Sequence, residues 1–292
     1  MNVITKDGVK LYVEETGLGL PVLFIHEFGG NHDSWEPQMR RFARRYRCIT
    51  YAARGYSPSD IPTDLASYSQ RIAAEDALAV LDGLGISKAH IVGLSMGGFT
   101  AAHVGLIAPE RAISLTIAGT GYGAEKGFED YFRGVSLSVA ERFEIDGAKD
   151  FSKIYAEGAS RVQFQNKDPR GWRDFAERLS HHSDTGAAMT MRGVQACRPS
   201  LYDLSDELAN MMVPTLVMAG DEDDHCLQTS IYLKKTIPAC GMVVFPKTGH
   251  TLNLEEPELF NSFLSEFFAQ VEAGAWAKRD PRADPGQVMR TR

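Results

Sequence analysis

The chain has 292 residues, of which 43% are hydrophobic and 24% are charged, as in an ordinary globular protein. This length suits one elaborated domain, or one domain that carries a large insertion. A net charge of -7 disfavours nucleic acid or an anionic membrane as a general partner, because both require a basic surface. The four cysteines are widely separated, so no zinc or dithiol motif is indicated. No apolar stretch predicts a signal peptide or a membrane span, and we therefore expect a cytoplasmic protein.

The first part of the chain alternates between predicted strands and predicted helices. Asp7-Gly8 is a hairpin turn signal near the N-terminus. Short apolar runs then predict buried strands at residues 21–25, 48–51, 89–94 and 112–118. Helices are predicted at residues 34–45, 69–84 and 97–107. Such alternation is typical of a parallel, doubly wound sheet.

The alternation stops after residue 118 and resumes near residue 213. Residues 119–212 contain helix-like stretches and no clear buried strand. Beyond them, we predict strands at residues 215–219 and 242–245 and helices at residues 228–236 and 257–271. The sequence therefore predicts a core formed by residues 1–118 and 213–273, with a helical lid at residues 119–212. Residues 274–292 are polar and lack periodicity, and we expect them to form a tail.

A Gly-x-Ser-x-Gly pattern, Gly93-Leu94-Ser95-Met96-Gly97, lies between a predicted strand and a predicted helix. This context allows a serine to occupy a sharp strand-to-helix turn with its hydroxyl exposed. Small residues are needed on either side of such a serine, because the backbone there is tight and strained. The pattern therefore predicts Ser95 as a nucleophile, provided that a base and an acid lie nearby.

The base and the acid are predicted in loops that follow later strands. His250 comes after the strand at residues 242–245, at the same sheet edge as Ser95. The loop after residue 219 reads Gly220-Asp221-Glu222-Asp223-Asp224-His225, and any of its four carboxylates satisfies the order Ser, acid, His. We do not expect this acidic loop to bind a metal, since no second ligand cluster is evident.

Four motifs together resemble those of the α/β-hydrolase fold superfamily. They are His26-Glu27-Phe28-Gly29-Gly30, Gly93-Leu94-Ser95-Met96-Gly97-Gly98, Gly220-Asp221-Glu222-Asp223 and Gly249-His250. The resemblance implies an α/β-hydrolase fold with a mostly parallel sheet of about eight strands. It also selects Asp223 as the acid, because the acid in that family usually follows as Gly-x-x-Asp, and it leaves Asp221 as the rival.

The same resemblance predicts an oxyanion hole formed by the backbone N–H groups of Phe28 and Met96. Most relatives have His-Gly where this chain has His26-Glu27. The Glu27 carboxylate either lies near the acyl site, where it would contact substrate, or turns away to pair with an arginine. Both alternatives remain open from the sequence.

The predicted lid supplies candidate substrate contacts, because lids of this kind select the substrate. Lys167, Arg170 and Arg192 could anchor a substrate carboxylate, or they could form surface ion pairs. Trp172 could form part of the substrate wall or of the lid core.

The motifs predict a serine hydrolase that acts on a small molecule without a cofactor or a metal. Hydrolysis of a small carboxylic ester through an acyl-enzyme is the first choice. A carbon–carbon bond hydrolase or an enol-lactone hydrolase, acting on an intermediate of aromatic degradation, is the alternative. Dehalogenase and epoxide hydrolase chemistry is disfavoured, since relatives that perform it have Asp at the position of Ser95. A ligand-binding receptor on a hydrolase scaffold is the alternative from another class, and a homo-oligomer remains open.

Overall fold

A computed structural model describes residues 1–283 and Gly286. Its centre is an eight-stranded sheet with the order β1-β2-β4-β3-β5-β6-β7-β8. The strands are β1 (Asn2–Ile4), β2 (Lys10–Thr16), β3 (Leu20–Ile25), β4 (Tyr46–Tyr51), β5 (Ala89–Leu94), β6 (Ala112–Ala118), β7 (Thr215–Gly220) and β8 (Cys240–Phe245). β2 pairs antiparallel with both β1 and β4, and the remaining pairs are parallel. This is the predicted fold class.

The sheet separates two apolar cores, and helices cover both of its faces. The α-helices outside the β6–β7 connection are α1 (Glu36–Phe42), α2 (Gln70–Gly83), α3 (Met96–Ile107), α9 (Asp224–Thr236), α10 (Leu252–Glu255) and α11 (Pro257–Glu272). α2, α3 and α9 pack on one face, where Leu81, Phe99 and Leu233 are buried. α1 and α11 pack on the other face, where Phe42 and Phe260 are buried. Burial of both faces explains why the parallel strands are near-continuous apolar runs.

The first predicted helix begins differently from the expectation. The sequence predicts a helix from residue 34, but Asn31 occupies the cap and Ser34 lies within a short 3-10 helix, His32–Trp35. The Asn31 side chain accepts from the backbone of His32, and α1 follows directly. An asparagine caps as well as a serine does, and so the cap could not be assigned from residue type alone.

The connection between β6 and β7 consists of helices and turns. Its α-helices are α4 (Glu129–Ala156), α5 (Val162–Lys167), α6 (Pro169–Ser180), α7 (Asp184–Thr190) and α8 (Ser205–Asn210). α4 is broken at Gly147, whose φ of 74° is left-handed and suits glycine. Phe143, Phe151 and Leu179 from this connection pack with Phe28 and Met96 from the sheet edge. The connection therefore covers the carboxyl edge of the sheet.

The chain after α11 turns back towards the sheet. The Trp276 indole donates a hydrogen bond of 2.9 Å to the Ala239 carbonyl and packs against Phe267. Of the predicted tail, residues 284, 285 and 287–292 lie outside the described residues. Among the residues that are described, no helix is long and apolar enough to cross a membrane.

The topology brings four loops to one edge of the sheet. Residues 26–30 follow β3, Ser95 follows β5, Asp223 follows β7 and His250 follows β8. These four strands are parallel members of one sheet, and their carboxyl ends therefore lie on the same side.

Candidate active site

Ser95 lies at the turn between β5 and α3 in a strained backbone conformation. Its φ of 55° and ψ of -113° are unusual for a residue that is not glycine. The flanking glycines permit this turn, because a Cβ at Gly93 would lie 2.0 Å from the Gly97 carbonyl oxygen. A Cβ at Gly97 would lie 2.0 Å from the Ile25 carbonyl oxygen. The half-buried Ser95 hydroxyl donates no hydrogen bond to another residue within the described part of the chain.

His250 and Asp223 form a buried pair. The His250 Nδ1 atom lies 2.7 Å from the Asp223 Oδ2 atom, and the two residues are 4% and 1% exposed. Burial alone would raise the pKa of Asp223, but the charge and the hydrogen bond of His250 hold that pKa below its usual value. Asp223 is therefore a carboxylate that fixes the orientation of the His250 ring. The backbone N–H of His250 donates to the Ser160 carbonyl at 3.0 Å.

Asp221, the rival acid, lies at the surface. Its Oδ1 atom accepts a hydrogen bond of 3.1 Å from the Thr248 backbone, within the loop that carries His250. Glu222 binds Gln163 and Lys247, and Asp224 is exposed at the start of α9. Of the four carboxylates in the loop after β7, Asp223 is the one that contacts His250.

The predicted oxyanion donors are the amide of Phe28, which lines the same cavity as Ser95, and the amide of Met96, which follows Ser95 in the chain. Within residues 1–283, neither the Phe28 amide nor the Met96 amide donates a hydrogen bond to the protein. The carbonyl of the Glu27–Phe28 peptide accepts from Gly30 at 3.2 Å and lies 2.7 Å from the His26 Nδ1 atom. The His26 Nε2 atom accepts from the Ala53 backbone at 3.1 Å, and so Nδ1 carries the proton and donates. Burial lowers the pKa of His26 to about 4, which keeps the ring neutral.

A cavity of about 290 Å³ contains Ser95, His250 and Phe28 in its lining. Apolar side chains form much of its wall, namely those of Phe132, Val135, Val139, Phe151, Ile154 and Met191. Polar groups reach it from Tyr122, Ser136, Tyr155, Ser160, Arg161 and Gln195. A mostly apolar pocket with a few convergent polar groups is typical of a site for a small molecule.

Glu27 turns away from this cavity and pairs with Arg161. Both residues are 3% exposed, and the guanidinium donates to both carboxylate oxygens, at 2.9 Å in one of the two bonds. Of the two alternatives from the sequence, the structure supports pairing with an arginine. Arg161 itself lines the cavity, and sequence reasoning missed it. The available signal was the carboxylate at a position that is buried in the resembling fold, which requires a cation nearby.

The side chains expected from the lid as substrate contacts lie elsewhere, and none of the four lines the cavity of Ser95. Lys167 binds Glu255 at 3.0 Å and also pairs with Glu256. Arg192 pairs with Glu144 at the surface. Arg170 is exposed at the start of α6. Trp172 donates to the Ala156 carbonyl and packs in a small apolar cluster. Of the alternatives from the sequence, the structure supports ion pairs for Lys167 and Arg192 and packing within the connection for Trp172.

A group of possible metal ligands includes the Asp223–His250 pair. Asp223, Cys226 and His250 offer ligand atoms within 4.8 Å of one another. The Nδ1 atom of His250 is already bonded to Asp223, and burial raises the pKa of the Cys226 thiol well above its usual value. A protonated thiol is a poor metal ligand. These three residues therefore fit a hydrogen-bonded support for the imidazole better than a metal site.

Comparison with known proteins gives consistent matches. The chain is 28% identical over 261 residues to 3-oxoadipate enol-lactonase 1 of Acinetobacter baylyi, covering 86% of this chain and 89% of that protein. It is 26% identical to 2-hydroxymuconate semialdehyde hydrolase of Pseudomonas sp. strain CF600, covering 92% and 93%. A thermophilic esterase of Thermogutta terrifontis superposes with a TM-score of 0.82 at 26% identity, covering 93% and 98%. The family model described as alpha/beta hydrolase fold matches residues 21–257, and the chain therefore belongs to that family.

Proposed function

We propose that this protein is a serine hydrolase that cleaves a small, neutral carboxylic ester through an acyl-enzyme. Hydrolase activity follows from the family and from the relatives, whereas the ester subtype is our proposal. The observation that carries it is the shared cavity: Ser95, His250 and Phe28 line one apolar pocket, and Asp223 holds the imidazole from behind at 2.7 Å.

In the proposed reaction, the Ser95 oxygen attacks the ester carbonyl while His250 takes the serine proton. The carbonyl oxygen becomes an oxyanion that accepts from the Phe28 and Met96 N–H groups, which bind no protein acceptor within residues 1–283. His250 then donates the proton to the departing alcohol, and the acyl group remains on Ser95. Water attacks the acyl-enzyme with His250 as the base, which releases the acid and restores Ser95.

The charge balance of the cavity supports a neutral substrate. Among the described residues that line the cavity, Arg161 is the one lysine or arginine. Its positive charge is already neutralised by Glu27. The lid cations that could have bound a carboxylate lie outside the lining. A substrate carboxylate would therefore lose its hydration without gaining a free cationic partner, which is unfavourable.

Lactone hydrolysis is the second candidate. Opening a lactone is the same acyl transfer, except that the leaving alcohol stays attached to the acyl group. The similarity to an enol-lactonase over 89% of its length favours this candidate. Carbon–carbon bond hydrolysis stays in the test set, because 2-hydroxymuconate semialdehyde hydrolase is also a relative.

A substrate panel with Ser95→Ala as the control tests the proposal. The panel contains p-nitrophenyl esters of increasing acyl length, lactones and ring-fission dienones, together with a carboxylate-bearing ester matched in size to a neutral one. We expect the neutral short ester to be turned over at about 1 s⁻¹ or faster. Ser95→Ala should reduce that turnover by roughly 10⁴-fold or more, with the unfolding temperature unchanged.

Three outcomes would contradict the proposal. Turnover retained in Ser95→Ala would remove Ser95 as the nucleophile. A preference for the carboxylate-bearing ester would contradict the neutral substrate. Tight binding of esters without turnover would support a receptor in place of an enzyme.

A further inference from the structure

The buried ion pair Glu27–Arg161 joins parts of the chain that are 134 residues apart. Glu27 belongs to the loop that carries the Phe28 amide, and Arg161 ends a short 3-10 helix, Ala159–Arg161, in the β6–β7 connection. A buried pair of this kind gains little net stability over apolar residues of similar volume, because both ions lose their hydration. Net stability alone therefore does not explain why the pair lies at the cavity that Ser95 and Arg161 both line.

Arg161 also contacts the loop of the catalytic histidine. Its guanidinium donates to the Thr251 hydroxyl as well as to Glu27. The residue before it, Ser160, accepts the backbone N–H of His250 at 3.0 Å. On its other side, the guanidinium lies 4.8 Å from the centre of the Phe175 ring. One short segment thus contacts both the oxyanion loop and the histidine loop.

Glu27 is held at its backbone as well as at its side chain. Its carbonyl accepts from His26 and from Gly30, and its carboxylate binds Arg161. The same peptide unit carries the Phe28 N–H group that faces the proposed oxyanion. Without the ion pair, this unit would be held by its backbone hydrogen bonds alone, and so the pair helps to fix the position of the Phe28 amide.

The pair also balances charge near the imidazole. Burial alone would raise the pKa of Glu27, but the charge of Arg161 keeps it below its usual value. Burial alone would lower the pKa of Arg161, yet Glu27 raises it. Both residues are therefore ionised across the working pH range, and their charges sum to zero. Other titratable groups contact His250 or its loop. They are Asp223, Cys226, Tyr122, Asp221, the pair Glu222–Lys247, and Lys167 with Glu255 and Glu256.

We propose that Glu27 and Arg161 are positioning residues, which form a charge-balanced clamp that holds the Phe28 amide and His250 in register across the cavity. The clamp acts through the two loops and does not contact the reacting atoms. This inference rests on the proposed function, in which Ser95 is the nucleophile and His250 is its base.

The experiment measures Ser95 labelling by a fluorophosphonate, and so it does not require the natural substrate. In that reaction the Ser95 oxygen bonds to phosphorus, fluoride leaves, and the serine proton passes to His250. The labelling rate is measured per folded molecule across pH. Each profile gives a plateau rate, which reports geometry, and an acidic half-point, which reports how readily the imidazole is protonated. Absence of labelling in the unmodified enzyme would contradict the proposed function itself. If the unmodified enzyme is labelled, the variants test the clamp separately.

The variants Glu27→Gln and Glu27→Gln/Arg161→Met separate charge from geometry. In Glu27→Gln the unbalanced Arg161 charge disfavours the imidazolium, and the acidic half-point should fall by about 0.3 to 1 pH unit. In the double variant the charge is balanced again and the half-point should return to the wild-type value. The plateau of the double variant should remain about 10- to 100-fold below wild type, because the loops are no longer clamped.

Arg161→Lys provides a second measurement should Glu27→Gln fail to fold. Lysine keeps the charge but lacks the fork that reaches Glu27 and Thr251 together. Its half-point should stay within about 0.2 pH unit of wild type while its plateau falls about 10-fold. The matched control is Arg54→Met/Asp76→Asn, which removes another buried pair that does not line the cavity of Ser95. This control should leave both the half-point and the plateau unchanged.

Any of four results would overturn the clamp. Two concern the half-point: no shift in Glu27→Gln, or a shift in Arg161→Lys as large as the one expected for Glu27→Gln. Two concern the plateau: a wild-type rate in the double variant, or an equal fall in the Arg54→Met/Asp76→Asn control.

Discussion

Two groups of buried charges occupy different parts of the molecule. The catalytic-edge group consists of Glu27, Arg161, Asp223 and His250 at the carboxyl ends of the strands. The Arg54 cluster consists of the buried residues Arg54 and Asp76 together with the exposed Asp7, and it joins the β1–β2 hairpin to α2. Both contain an arginine that is at most 6% exposed and is bound to carboxylates. The two arginines are therefore alike in burial and pairing, and the surroundings must distinguish the roles of the two groups.

The surroundings differ in what the charges contact. The catalytic-edge group lies against the cavity of Ser95, and His250 and Arg161 line that cavity. Arg54 instead donates to the Ser67 carbonyl and to the two aspartates, which ties three segments of backbone together. We infer that changes in the first group alter turnover, whereas changes in the Arg54 cluster alter stability.

The largest expected effect belongs to Asp223→Asn. The asparagine cannot accept from His250 Nδ1–H in the way that the carboxylate does, and the imidazole loses its tautomer and its charge support. Turnover should fall by about 10⁴-fold. Asp221→Asn should change turnover by less than about 10-fold, because Asp221 supports the histidine loop from the surface.

Steady-state kinetics on the most active ester of the panel check this pair of variants, with thermal unfolding as the control for folding. If Asp221→Asn were the more damaging change, the acid would be misassigned. The catalytic-edge group would then have to be redrawn around Asp221.

The strands and loops around Ser95, Asp223 and His250 were the parts most readily predicted from the sequence. β5 and β6 have the bounds expected from their apolar runs, 89–94 and 112–118, because turn residues and a proline delimit them. Ser95 and Met96 follow from the local strand-to-helix turn, and the strand order brings His250 and the acidic loop to the same edge. The resemblance to the α/β-hydrolase fold superfamily added Phe28 and the choice of Asp223. These features depend on residues that are near one another in the chain or follow a known topology.

The Glu27–Arg161 pair depends on neither source. Its partners are 134 residues apart, and Arg161 lies in a short 3-10 helix without periodicity. Lys167, Arg170 and Arg192 offered the same charge in the same connection, and nothing in the sequence favours Arg161 over them. Only the packing of the connection on the sheet edge determines which arginine is buried. Side-chain direction in the connection was thus the part that sequence reasoning could not supply.

A smaller effect, on stability, is expected for Arg54→Met. The substitution leaves Asp76 buried without its cation, and burial already raises the pKa of Asp76. We expect the free energy of unfolding to fall by about 3–5 kcal/mol. Turnover per folded molecule should stay within about 2-fold of wild type. Arg192→Gln, which removes a more exposed pair with Glu144, is the control and should cost about 0.5 kcal/mol or less.

Urea unfolding and active-site titration by fluorophosphonate together measure both quantities for Arg54→Met. A loss of turnover above 10-fold in the folded variant would mean that the Arg54 cluster also supports the catalytic edge. The two groups would then form one coupled network, and the assignment of turnover to one group and stability to the other would be wrong.

The smallest expected effect is the pH dependence contributed by Asp7. Hydrogen bonds from Arg54 lower the pKa of Asp7 from 3.8 to about 2. Because the folded-state pKa is depressed, this contribution to stability is present above about pH 4 and is lost as pH falls through about 2. The Asp7 side chain is 49% exposed, and solvent screening should limit the contribution to about 1 kcal/mol or less.

Asp7→Asn should therefore lower the unfolding free energy at pH 6 by that amount and leave it nearly unchanged at pH 2. Urea unfolding at the two pH values measures the difference, and 0.5 M salt should shrink it. An equal loss at both pH values would mean that Asp7 acts through hydrogen bonds that do not need its charge, and the Arg54 cluster would then be held mainly by the fully buried Asp76.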